Sequence, residues 1–496
     1  EMTETVEVQA ATVALQSESA NIGQTLTQRQ ITELPLNGRS FLSLLFLQAG
    51  AVETTGEQGS MRQGAGNAIS LQGARPTSNN FMIDGTANID TALGTPAAIL
   101  SVDAMEEFTQ QNKTYSAQYG FSANQINMVS KSGSNEFHGT AFLFGRNEAW
   151  DARNYFDDPD AEKPELDQKQ FGGTVSGPII KNKTFFLFNY EGTRITRGST
   201  GFWFVPTAEM LNGAARGPIV DPFTGQPFPN NTVPRDRWAR LSALAIDEGW
   251  WPTPNIDSPL GNFSTVRTFP QDQDQFNIRL DQDLGSYGRI FGRYTKTTFE
   301  NESSGTLSLG SGDWEGGNRV FEQNTTNWQV SHTWPIQSNI VNVLRVGYVE
   351  AEANQFGKAC PQSWVDRAQL TGIFDPIPDI QRECPTIAGI QDIAGVGGPV
   401  NAYTASNQPM WDVSNTTTWV AGSHTVTFGA NFRRWWLQRD LATGFTGDFN
   451  YGVNFTGDTW ADFLLGAYRN AAAFQPGPFI VEGAVGNPRE FNMVYF

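Results

Sequence analysis

The sequence predicts a mixed α+β domain followed by an antiparallel transmembrane β-barrel. Three observations carry that expectation. The stretch Asn124–Trp150, NQINMVSKSGSNEFHGTAFLFGRNEAW, divides a Gly/Asn/Gln/Ser-rich segment from a run of aromatic-rich, strand-length segments. Beyond it apolar and polar residues alternate with period two, as in Phe276, Ile278 and Leu280 against Asn277, Arg279 and Asp281, which gives each strand one apolar and one polar face. The connections between these strands alternate between very short and very long, the habit of barrels with tight periplasmic turns and long external loops.

The bulk properties agree. The 496 residues carry a net charge of −18, which argues against a nucleic-acid partner because no basic face is present to neutralise phosphates. Aromatics make up 12% of the chain, a load suited to the girdles of a membrane barrel or to a carbohydrate-binding β protein. The most apolar run, Phe41–Leu47, is far shorter than the roughly 20 residues a membrane helix needs, so any crossing falls to strands. The chain opens EMTETVEVQA, without the basic and apolar regions of a signal peptide, and stops within FNMVYF, so it reads as a processed or partial chain. Cys360 and Cys384 share one predicted loop. A disulfide closing that loop fits an exported protein.

Taken in order, Thr3–Val8 alternates as an extended segment, and a polar linker runs to about residue 20. It reads either as a frayed strand or as a segment that adds itself to a partner's sheet edge. Residues 22–47 carry Leu26, Ile31, Leu34, the turn Pro35–Arg39 and a second apolar run, read as two short helical pieces. Short strands are expected at Ile69–Leu71, Asn80–Ile83 and Gln125–Ser130, with Asp84-Gly85 as a turn and a helix or turn at Val102–Phe108 leading into a strand. The domain limits are therefore 1–20, 21–133 and 134–496.

Barrel strands are expected near 137–150, 169–180, 183–197, 274–284, 288–300, 321–336, 340–355, 409–421 and 424–439. The short turns are Lys181-Asn182, Gly285–Tyr287, Gln337–Asn339 and Gly422-Ser423; the long loops are 151–168, 198–273, 301–320, 356–408 and 440–458. The first strand leads from the α+β domain into a long loop, which places that domain on the periplasmic, short-turn side. A domain of this size has a radius of gyration near ~13 Å. That is too wide for a barrel of ten or eleven strands, whereas barrels of about 22 strands hold a plug. An open sheet edge cannot face lipid, so the chain reads as a plug and about half of a larger barrel.

At this point the residues resemble a family. ITELPLNGRSFLSLLFLQAG, LQGARPTSNNFMIDGTANID, NMVSKSGSNEFHGTAFLFGRNEAWDARNYF, FGGTVSGPIIKNKTFFLFNYEGTR, IVDPFTGQPFPNNTVP, DQFNIRLDQDL and WADFLLG are similar to stretches of TonB-dependent outer-membrane receptors, more closely the Oar-like group. The resemblance implies a plug inside a 22-stranded barrel in the bacterial outer membrane. It also implies import driven through TonB, the inner-membrane energy-coupling complex. Glu4, Thr5, Val6, Glu7 and Val8 resemble the TonB box, although Glu7 departs from the apolar alternation usual there.

Expected partners are TonB, outer-membrane lipid and an unidentified substrate, with an accessory surface lipoprotein, the substrate-binding residues and the direction of transport left open. A surface adhesive or structural protein and a secretion conduit of the same architecture are the alternatives. Catalytic motifs such as G-x-S-x-G, a Walker loop or H-E-x-x-H are not found, and no enzyme, cofactor or metal site is expected. His138, His332 and His424 read as barrel-wall residues, and Asp272-Gln273-Asp274 and Asp281-Gln282-Asp283 as solvated strand ends rather than calcium ligands. Arg75 and Asp84 are expected to be structural, in a plug salt bridge beside Gly85, rather than substrate contacts. Trp250 and Trp251 read as sugar-stacking or belt residues, and Trp435 and Trp436 as belt.

Overall fold

The computed structural model describes residues 22–34, 36–54, 68–91, 94–112, 122, 124–153, 163–304, 318–357, 386–397, 403–442, 448–452, 455–472 and 489–495. Residues Glu4–Val8, expected to be a TonB box, and Cys360 and Cys384, expected to form a disulfide, lie outside these residues.

The plug contributes β1 (Ile22–Thr27), β2 (Ala51–Thr54), β3 (Ala68–Leu71), β4 (Asn79–Ile83), β5 (Thr86–Ala87), β6 (Ile89–Asp90), β7 (Thr95–Pro96), β8 (Met105–Asn112) and β9 (Asn124–Ser130). Five of them form one sheet in the order β1-β8-β9-β4-β5. Residues Ile22–Thr27 were expected to be helical and are instead a strand paired with β8. The free edge of β8 offers those backbone groups a ladder, and the helix starts only at Gln28, where the Gln30 side chain accepts from the Thr27 N–H at 3.0 Å. Phe41, Leu44, Leu45, Leu71, Phe81, Phe108, Ile126 and Met128 close an apolar core beneath the sheet.

The wall consists of β10 (His138–Asn147), β11 (Leu166–Ile180), β12 (Thr184–Trp203), β13 (Phe263–Asp283), β14 (Arg289–Ser304), β15 (Asn318–Gln337) and β16 (Ile340–Gly357). After two short loop strands, β17 (Thr386–Ala388) and β18 (Val396–Gly397), it continues through β19 (Tyr403–Ala421) and β20 (His424–Ala442). The loop strands β21 (Asp448–Asn450) and β22 (Asn470–Ala472) precede the last wall strand, β23 (Arg489–Tyr495). The ten wall strands form one antiparallel sheet in chain order, with β10 and β23 at its edges.

The faces of this sheet are reversed relative to a soluble sandwich. Asn277 and Asp281 are 2% and 1% exposed, while Ile278 and Leu280 between them are 39% and 49% exposed. The polar face turns toward the plug and the apolar face outward, the distribution that lipid requires. On the outer face Tyr294, Trp328, Tyr348 and Trp411 are consecutive register partners and form a ring, with Trp328 and Tyr348 stacked at 6.0 Å. From Trp328 to Ile336 is about 27 Å along the strand at ~3.4 Å per residue. At a ~40° tilt that is about 20 Å of membrane normal, close to the ~25 Å band of such barrels. No helix among the described residues is long and apolar enough to cross a membrane.

Among the described residues, segments 204–262, 386–397, 448–452 and 455–472 lie between wall strands at three separate places and fold together into a cap, joined by a sheet in the order β18-β17-β21-β22. Its core holds Trp250, Trp251, Trp460, Phe463, Tyr451 and Ile387, with Trp251 edge-on to Trp460 at 5.5 Å. Trp250 and Trp251 therefore serve neither a belt nor an exposed sugar platform, because both are buried in that core. The helix Thr459–Leu465 is capped by Asp458, whose carboxylate accepts from the Trp460 and Ala461 N–H groups, and stops at the left-handed Gly466.

Candidate functional site

The densest set of contacts between plug and wall gathers at one hairpin. Residues Ile83 and Thr86 pair across a two-residue turn in which Asp84 and Gly85 both take positive φ, 51° and 79°, the type I′ geometry for which Asp-Gly is suited. Gly85 is needed twice over, since a Cβ there would also lie 3.2 Å from the Arg345 Nε.

The turn faces a single tier of the wall. Leu187, Arg279, Arg293, Gln329, Gly347, Asp412 and Arg433 follow one another as register partners from β12 to β20. Asp84 accepts from Arg293 Nε at 2.9 Å and lies 3.7 Å from Arg279 Nη1. It also accepts from the Ser130 N–H at 2.8 Å and hydroxyl at 2.7 Å. Gln329 donates to the Asp84 carbonyl at 3.0 Å and accepts from the Thr86 hydroxyl at 2.8 Å. The Ala87 N–H donates to Asp412 at 2.8 Å, and Arg433 bridges Asp412 at 2.9 Å and Asn80 at 3.2 Å. Gly347 leaves room for Thr86, because a Cβ there would lie 2.8 Å from the Thr86 Cβ.

The Arg293 side chain is fully buried. A guanidinium so placed needs a carboxylate and hydrogen-bond acceptors around it, and Asp84, Thr295, Asn327 and Gln329 supply them. Asp281 is likewise buried and held by Arg279 and Arg289 at 2.9 and 3.0 Å, so it is an internal ion-pair residue and not a solvated strand end. Asp274, by contrast, stays half exposed beside Arg194 at 2.8 Å.

Further tiers repeat the chemistry. Ser101 donates to Glu191 at 2.6 Å, Asn327 to Asn88 at 3.1 Å and Gln408 to Asp90 at 2.9 Å. Apolar contacts with the wall are few: Leu187 joins the plug core, and Ala87, Ile89 and Ala97 pack on Val349, Ala351 and Met410. Trp435 packs against that last cluster, so it turns inward instead of serving the belt; only Trp436 remains beside Arg434, at 4.7 Å.

Of the residues singled out from sequence, Asp84 and Gly85 form the centre of this interface. Arg75 is exposed and precedes the short helix Pro76–Ser78, and Asp84 takes its cations from the wall instead of from Arg75. His332 stacks on Trp334 with its ring nitrogen 2.8 Å from the Tyr287 carbonyl. Arg279, Arg293, Asp412 and Arg433 were not singled out. A charged side chain inside a strand on its polar face, rather than at the turn, was the available signal. Among the described residues no group of His, Cys, Asp or Glu is placed to hold a metal ion.

A family model described as outer membrane beta barrel domain matches residues 129–481. The chain is 30% identical over 158 residues to the TonB-dependent transporter Oar of Myxococcus xanthus, which covers 31% of this chain and 14% of that protein. Among solved structures, the outer membrane transporter YddB of Escherichia coli superposes with a TM-score of 0.51 at 11% identity, over 86% of this chain and 50% of YddB. A ferric enterobactin receptor (PfeA) mutant from Pseudomonas aeruginosa gives 0.45 at 13%, over 84% and 49%. The chain thus spans about half the length of the solved relatives it matches. With 129–481 matched and an outward apolar wall around a polar-docked plug, the chain belongs to the outer-membrane β-barrel family and resides in the bacterial outer membrane.

Proposed function

We propose that the protein is a TonB-dependent receptor that takes a substrate at its extracellular face and imports it past the plug. TonB would pair with the Glu4–Val8 strand and pull. The observation that supports this is the polar character of the plug–wall contact around Asp84. Neutral hydrogen bonds of this kind contribute only about 0.5–1.5 kcal/mol net and those to charged groups about 1.5–3 kcal/mol, since water replaces each lost partner. A plug so held is kept in register yet can be withdrawn and returned. An adhesin using the barrel purely as an anchor has no use for such a seal. Deletion of Glu4–Val8 in the full-length receptor is the test: uptake falls to background while the barrel still assembles. Import at the wild-type rate in the deletion strain would refute the assignment of that strand.

A further inference from the structure

The plug is not gripped equally along the ten strands of the wall. From β12 to β20 the inward side chains bond to it tier by tier, as described above. Along β10 and β11 the contacts thin out. Among the described residues, the polar and ring contacts between the plug and the inner face of these two strands come from one turn, Gly38–Arg39. Gln170 donates to the Gly38 carbonyl at 2.9 Å, and the Arg39 guanidinium lies over the Phe142 and Phe144 rings at 4.2 and 5.7 Å.

A cavity lies on each side of that turn. One, of about 440 Å³, is bordered by Asp103, Lys131, His138, Thr140, Thr174 and Ser176. The other, of about 360 Å³, is bordered by Leu34, Val102, Phe144, Arg146, Gln168 and Gln170. The strand register puts them in line. His138 and Thr140 pair with Ser176 and Thr174, Phe142 with Gly172, then Phe144 and Arg146 with Gln170 and Gln168. Only the Phe142–Gly172 level separates the two spaces. There Arg39 is clamped from behind by Asp103 at 2.5 Å and Glu191 at 3.4 Å. Gly172 leaves room for the Phe142 ring, since a Cβ would lie 2.9 Å from its Cζ.

We propose that the inner face of β10 and β11 is the solute path through this barrel, closed by one gate in which Arg39 stacks on Phe142. The solute it fits is small and hydrophilic. Both cavities have the size of ordinary small-molecule sites; hydroxyls with Asp103, Glu106 and Lys131 line the first, and Gln168, Gln170 and Arg146 supply the polar half of the second. Displacing the Gly38–Arg39 turn would join the two spaces, with the Asp84 hairpin still docked on β13, β14 and β15. This rests on the import reading for the direction of travel; a variant that lacks the gate is open without TonB.

The test is swelling of proteoliposomes containing the full-length receptor, with L-arabinose as the probe and no TonB present. Phe142→Ala is expected to raise the swelling rate at least tenfold over wild type, and adding Thr140→Trp, which narrows the cavity that Thr140 borders, to lower it again. Phe142 faces the lumen, so the lipid-facing surface is unchanged; should Phe142→Ala not assemble, Arg39→Met, which removes the stack and both ion pairs, is read in the same way. A gate variant as tight as wild type overturns the proposal, and so does a leak that Thr140→Trp leaves unchanged. Failure of the Glu4–Val8 deletion test would leave these outcomes unaffected, so the two readings fail separately.

Discussion

Replacing Asp84 by Ala removes the carboxylate that faces the fully buried Arg293 and the nearby Arg279. Breaking a buried pair from one side costs about 3–5 kcal/mol, because the remaining charge stays desolvated. The Ser130 N–H and hydroxyl lose their acceptor as well. At ~1.4 kcal/mol per factor of ten, opening of the Asn79–Ala87 hairpin becomes about 10²- to 4 × 10³-fold more frequent. Amide hydrogen exchange in the intact receptor reads this directly. The Gly85 and Ala87 N–H groups bond to Asn127 and Asp412 at 2.9 and 2.8 Å and exchange when the hairpin lifts. Asp84→Asn keeps an acceptor for Ser130 and loses the charge, so its effect is smaller, about 1.5–3 kcal/mol. If Asp84→Ala leaves exchange at Gly85 and Ala87 within threefold of wild type in an assembled barrel, the ion pair is not what holds the plug.

Two further outcomes concern the cap. Trp460 is fully buried and its indole N–H donates to the Met210 carbonyl at 2.8 Å; Trp460→Ala is expected to cost about 3–5 kcal/mol and to make the 204–262 loop protease-sensitive while barrel assembly is unchanged. The Arg237 hydrogen bond at 3.0 Å holds the Asp221 carboxyl below the usual aspartate range. A lowered acid contributes stability that is complete above its unfolded value and is lost as pH falls through the folded one. Acid titration followed by tryptophan fluorescence should therefore show the cap transition moving to higher pH in Arg237→Ala; an unmoved transition would assign no role to that pair.

The physical basis of these expectations was unevenly legible in the chain. Alternation such as Asn277-Ile278-Arg279-Leu280 determined that strands would have two faces, and turns such as Gly422-Ser423 beside long loops determined which end was which. Asp84-Gly85 was visible as a turn because so few dipeptides tolerate two positive φ angles. Those are local properties, set by backbone sterics and period. That Asp84 pairs with Arg293, 209 positions away, was decided only when the wall closed on the plug, since buried ion pairs depend on which tier of the sheet each side chain reaches. The same holds for the cap. Trp251 looks like a surface aromatic in its own loop, and only the meeting of three loops gives it a core shared with Trp460. Residues Ile22–Thr27 make the smallest case of the rule: their spacing admits a helix, and the open edge of β8 made them a strand.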